Sequence, residues 1–209
     1  DSIQKAAQDG VASQYWSVGD RKAVVLNGTV GGKTFSNQTA YAYILGFNHN
    51  ASLEGNNTIH FQFAFDALTD GNHIAFIDSS YNNQGSSSAF RMNTTTTISG
   101  GWRDSYMRNT IVPAFINAMP SDLQAVLKTV NKYTYNDSVT ATSDKVFLLA
   151  EYEVFGAITY AHQGEENSQV QYDYYKNGNS SIMYRDTSTS STAMWFFRSP
   201  YINYRFCCA

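Results

Sequence analysis

Charge is scarce in this 209-residue chain: 15% of residues are Asp, Glu, Lys or Arg, against about 25% in an average soluble domain. Solubility must rest on neutral polar side chains. The 14 basic residues are scattered and outnumbered by 17 acidic ones, so no basic stripe is present to neutralise a phosphate backbone. No nucleic-acid partner is expected. Cysteine is confined to Cys207 and Cys208, which cannot staple distant parts of a fold. A vicinal disulfide, an intermolecular bridge and two reduced thiols all stay open. Apolar runs fall far short of the roughly 20 residues that a membrane helix needs, so no membrane span is expected. The first residue is Asp1 rather than Met, with no leader-like stretch. This leads to the expectation that the chain belongs to a larger polypeptide or an oligomer.

Motifs of catalysis are missing as well. The histidines His49, His60, His73 and His162 stand in no H-x-x-x-H arrangement and there is no C-x-x-C, so neither a metal site nor a cofactor is expected. No nucleophile elbow, phosphate loop or dinucleotide fingerprint occurs. Carboxylates remain in supply at Glu151, Glu153, Glu165, Glu166 and Asp173. Glu151 and Glu153 would not share a helix face, and Glu165-Glu166 reads as a solvated turn.

What the chain does have is apolar and aromatic material: 43% hydrophobic, with 15 Tyr, 13 Phe and 3 Trp. That suffices for one core, and the expectation is a single domain over 1–209. A short leading helix is expected over 3–12. Strands are expected over 22–26, before a turn at Asn27-Gly28, over 41–46, and over 59–65, where Ile59, Phe61, Phe63 and Phe65 alternate on one face. A polar, Gly- and Ser-containing loop composition follows over 66–99. A helix capped near Asp104, with apolar positions Met107, Ile111, Ala114, Phe115 and Ala118, should bend or divide at Pro113. A second helix restarts after Pro120. Strands are then expected over 129–135 and 145–149, separated by a Thr/Ser-rich turn. A single helical turn over 151–155 should end at Gly156, and closing strands should lie over 193–197 and 204–208.

One series of short motifs is specific when taken in order. It runs from Trp16-Ser17-Val18-Gly19-Asp20 through Ile44-Leu45-Gly46-Phe47-Asn48-His49, Gly100-Gly101-Trp102, Met119-Pro120-Ser121-Asp122-Leu123 and Val146-Phe147-Leu148-Leu149. It closes on Trp195-Phe196-Phe197-Arg198-Ser199-Pro200 and Phe206-Cys207. Over about residues 10–208 the chain resembles an uncharacterised domain family of surface and phage-associated proteins of gut bacteria, marked by a W-x-x-R-S-P box. That family is similar in its terminal box to C-type-lectin-like and sulfatase-modifying-factor-like folds.

The resemblance implies an α+β fold, a C-type-lectin-like mixed domain with a twisted antiparallel sheet and two main helices. Family members usually continue past the Phe-Cys strand, so a missing tail or a neighbouring subunit is expected to complete the sheet. The resemblance also implies a non-enzymatic module displayed on a phage virion or bacterial surface, located on the virion or at the extracellular cell surface. Its expected partner is a glycan or protein receptor, or another virion subunit. The competing class is a carbohydrate-active or sulfatase-modifying enzyme, but the separated reactive cysteines of the latter are absent. Within the box, Trp195 and Phe197 should fill the core, Arg198 should pair with a carboxylate or carbonyls, and Pro200 should end the strand. The expected core comprises Trp16, Phe47, Phe61, Trp102, Phe115, Leu123, Phe147, Phe155, Trp195 and Phe197. The expected binding residues are Tyr201, Asn203, Tyr204 and Arg205, since Tyr, Asn and Arg on a short connection combine rigid amphipathic area with adaptable hydrogen bonds.

Overall fold

The β-branched and aromatic run of the N-terminal third folds into a three-stranded antiparallel sheet. The computed structural model describes residues 2–66, 71–76, 90–136, 138–161, 168–185, 187–201 and 205–209. After helix α1 (Ser2–Gln8), strands β1 (Arg21–Val30) and β2 (Lys33–Phe47) make a hairpin, and β3 (Ile59–Ala64) pairs with β2 beyond the short helix α2 (Ala51–Glu54). Asn27-Gly28 is not a turn. The register slips between Leu26 and Gly28, a bulge that Gly28 absorbs at φ 137. The chain reverses at Gly31-Gly32 instead, where φ of 54 and 80 suits residues without a Cβ.

One face of this sheet buries Val24, Leu26, Ala40 and Ala42 against Phe115 and Trp102. The stripe that meets it runs through Met107, Ile111, Phe115 and Ala118. After α3 (Gly101–Asp104), the helix expected from Asp104 is divided into a π-helical turn (Met107–Ile111) and α4 (Val112–Ala118), with α5 (Ser121–Val126) after Pro120. Pro113 sits in the first turn of α4, just past the junction with the π-helical turn, so it divides the run as a residue without an N–H can.

Strand β4 (His73–Ile74) lies parallel to β7 (Met183–Tyr184), which pairs antiparallel with β8 (Thr192–Ala193). The Thr/Ser-rich stretch expected as a turn is strand β6 (Ser138–Asp144), hairpinned to β5 (Val130–Asn136); its Thr and Val residues favour extended backbone. Residues 145–149, expected as a strand, are not one. Their carbonyls are met by an arginine: the Arg198 backbone N–H donates to Leu149 O at 2.9 Å and its Nη1 to Leu148 O at 2.8 Å. Helix α6 (Glu151–Phe155) ends at Gly156 as expected, at φ 65. Helix α7 (Asp173–Lys176), in a stretch that reads as irregular, places Tyr174 and Tyr175 in a second core with Leu45 and Phe197. Strands β9 (Phe196–Tyr201) and β10 (Arg205–Cys208) close the chain. Pro200 lies within β9, opposite Phe206, and does not end it.

The class is α+β. In place of one twisted sheet and two main helices, the described residues form four small sheets and helices of seven residues or fewer. Pro113 and Pro120 account for the short helices in part, each standing where one helical segment gives way to the next. No helix among the described residues is long and apolar enough to cross a membrane. Cys207 is buried and Cys208 exposed, and neither is in a disulfide.

Of the expected core, Trp102, Phe115 and Phe197 are buried, while Trp16, Phe47, Leu123, Phe147 and Trp195 are half-buried. Phe61 and Phe155 are corrections, 39% and 47% exposed. Phe61 lines an open cleft, and Phe155, at the end of α6, sets its ring edge-on to Phe197 at 5.8 Å.

Candidate functional site

A cluster of charges lies sealed in the interior. Lys132 on β5 and Arg198 on β9 are both wholly buried. Lys132 Nζ donates to Glu54 Oε1 and Glu153 Oε1, each at 2.8 Å, and to the Tyr172 hydroxyl at 3.1 Å. Arg198 Nη1 donates to Glu153 Oε2 at 2.6 Å. Glu153 reaches back to the Ala150 N–H at 2.8 Å, so the carboxylate that neutralises two cations also caps its own helix. Around this set, His49 stacks on Tyr172 with ring centroids 3.6 Å apart, and His60 Nδ1 meets the Tyr172 hydroxyl at 2.9 Å.

Two carboxylates facing two cations balance formally, and the surroundings move each group differently. Burial opposes the Glu153 charge, but Arg198 and Lys132 outweigh it and hold the carboxyl well below its usual range. Burial pushes Glu54 up to about 7 against the pull of Lys132. Burial lowers His49 to about 3 and, aided by Lys132, His60 well below its ordinary value. Burial likewise lowers His73 to about 4. These histidines are neutral at pH 7.

His49, Glu54 and Glu153 bring one ligand atom each within 4.8 Å of one another, a proximity that no sequence spacing announced. Lys132 already bridges the two carboxylates, and a divalent ion would have to displace an ammonium with Arg198 beside it. The donor set suits a closed ion-pair network better than a cation. Glu151 and Glu153, weighed as catalytic carboxylates, are both buried and engaged; Glu165 and Glu166 lie outside the described residues.

Glu151 does something else. Its carboxylate accepts the backbone N–H of Tyr160 at 3.1 Å from both oxygens and that of Ala161 at 2.7 Å, and its own N–H donates to Ser199 Oγ at 3.0 Å. The segment held this way forms a bridge between Ala161 and Tyr201 and sets the Tyr160 ring edge-on to Tyr201 at 5.8 Å. Tyr160 is 59% exposed. Across the last hairpin Tyr201 pairs with Arg205, whose side chain is exposed. Tyr201 and Arg205, two of the four expected binding residues, therefore face one another in register, while Asn203 and Tyr204 lie outside the described residues. No sequence pattern points to Tyr160 as part of this strip, or to the buried Glu151 that holds its backbone N–H. Tyr160 lies in the irregular segment before His162, too far along the chain from Tyr201 for any local pattern to join them.

Phe197, Arg198 and Ser199 of the box are each buried in the interior. Trp195 packs edge-on to Phe197 at 4.8 Å. Arg198 takes a carboxylate and carbonyls together, and Ser199 holds the start of α6.

An α+β domain with a sealed ion-pair network and a small aromatic strip at its final hairpin is the class that the geometry defines. The family model described as a domain of unknown function, DUF6273, matches residues 75–209. That is more than half of the chain, which therefore belongs to this family. The match begins at residue 75, whereas the resemblance was expected from about Gly10. The sheet β1-β2-β3 lies outside it, and with it Glu54, His49 and His60, so the ion-pair network joins the matched region to the segment before it. No curated protein and no solved structure matches the chain.

Proposed function

We propose that the chain is a non-enzymatic recognition module displayed on a phage particle or bacterial surface, binding a surface glycan or protein through the strip of Tyr160, Tyr201 and Arg205. The observation that carries this reading is the edge-on tyrosine pair with an exposed arginine across the hairpin. Tyrosine offers large contact area with little rotamer entropy to lose, and arginine adds a rigid fork of donors. Scarce charge and abundant Tyr, Asn and Ser suit an extracellular or virion surface. A C-type-lectin-like arrangement, one domain over 1–209 and assembly with other subunits belong to the same reading.

The enzyme alternative is less well supported. Its leading carboxylates, Glu151 and Glu153, are shielded and committed to structural partners. A glycan array run beside a hydrolytic turnover screen tests the reading. The expected result is binding without turnover, lost at least tenfold in Tyr201→Ala and Arg205→Ala (more than about 1.4 kcal/mol), with thermal stability unchanged. Turnover that disappears with Tyr201→Ala, or binding indifferent to both substitutions, would reject it.

A further inference from the structure

A cleft of about 870 Å³ opens along the face of β3. Phe61, Phe63, Leu123, Leu127, Phe147 and Trp195 are among its lining residues. Protein interiors rarely leave voids much larger than a water molecule, so an opening of this size is not a packing remnant. It falls within the roughly 300–1,000 Å³ of small-molecule sites, which are mostly apolar with a few polar groups fixing orientation. Apolar side chains also stay in solvent there: Phe61 is 39% exposed and Met194, on the same cleft, 69%.

The charges on its walls have one sign in excess. Lys22, Lys128 and Lys145 line it and, among the described residues, Asp122 is the only acidic one that does, in a chain where acidic residues outnumber basic ones. Lys128 Nζ donates to Asn56 O at 2.6 Å, which fixes its head. Long lysine stems can lie along apolar surface while their ammonium groups face the mouth.

We infer that this cleft binds a free amphiphile with a long acyl chain and an anionic head, a long-chain carboxylate, the chain against the aromatic wall and the carboxylate at one of the wall lysines. The site is separate from the Tyr160–Tyr201–Arg205 strip and stands whether or not that strip binds a receptor.

Trp195 supplies the readout, because heavy-atom quenching of indole fluorescence needs contact. Titration of the full chain with dibrominated stearate should quench its emission saturably, while unbrominated stearate should compete. In Trp195→Phe the residual emission of Trp16 and Trp102 should stay unquenched. Replacing Lys22, Lys128 and Lys145 together by Gln should weaken the carboxylate about tenfold, the size of a lost charge-assisted contact, and leave a brominated long-chain alcohol unaffected. Quenching that persists in Trp195→Phe, or equal affinity for the alcohol in the parent chain, would overturn the proposal. So would quenching only by vesicles of a brominated anionic phospholipid, which would make the ligand a bilayer lipid. An unquenched protein that sediments as a dimer would assign the cleft to a second copy and equally overturn it.

Discussion

Acidification from pH 6.5 to 4.5 is expected to remove at least about 3 kcal/mol of folding stability, a large part of the roughly 5–15 kcal/mol that a domain of this kind has. His49 and His60 are neutral in the folded protein across this window, with His49 lowered to about 3 and His60 well below its ordinary 6.5. In the unfolded chain both take up a proton below about 6.5. A group with a depressed folded pKa contributes stability that is present above its unfolded value and is lost as pH falls towards its folded one. Glu54 acts in the opposite sense. Its folded value of about 7 stands above the ordinary 4.5, so its contribution is present below 4.5 and lost as pH rises through 7. Two protons gained by the unfolded chain against one by the folded protein leave a net of one, or about 1.4 kcal/mol per pH unit. His73, lowered to about 4, adds to the loss. Urea midpoints measured at intervals from pH 7 to 4.5 should fall steadily, more steeply in Glu54→Gln and less steeply in His73→Asn. A flat profile would show that the histidines are not buried in the neutral state.

Glu153→Gln is expected to cost about 3–5 kcal/mol, because removing one member of a buried ion network leaves charges in a medium that cannot solvate them. Lys132 would keep the Glu54 carboxylate and the Tyr172 hydroxyl and Arg198 the Leu148 carbonyl, with one anion fewer to balance the two cations. Below pH 4.5 the parent itself should begin to lose this contribution, since the Glu153 carboxyl is held below its ordinary value by Arg198 and Lys132 while its unfolded counterpart takes up a proton. A double-mutant cycle between Glu153→Gln and Arg198→Met, read by denaturant midpoints, should show strong positive coupling, the double variant being more stable than the sum of the single losses implies. Additive losses would mean that the two side chains do not neutralise each other. At a temperature where Glu153→Gln remains folded, the binding proposed for the tyrosine strip should survive, as expected if Glu153 holds the fold and does not touch the ligand.

Much of the local structure was legible from the residues. The alternation of Ile59, Phe61 and Phe63 gave β3, the spacing from Met107 to Ala118 gave one buried stripe, and Gly156 gave the end of α6. Each of these depends on a few adjacent residues, so a linear pattern carries it. Arg198 as a residue that would take a carboxylate or carbonyls was legible too, since a guanidinium beside buried aromatics must be satisfied. Tertiary structure alone chose Glu153 as its partner and gave it the carbonyls of 148 and 149, which is why that segment is not a strand although it reads as one. It also turned a Thr/Ser-rich turn into β6 and laid Asn27-Gly28 inside β1, because pairing along a neighbouring strand outweighs weak local preference. The joining of Glu54, Lys132, Glu153 and Arg198 was beyond the sequence for the same reason as the placing of Tyr160 beside Tyr201. Desolvation and ion pairing act through space, and their partners are brought together only after the sheet, the hairpin and the closing strands have packed.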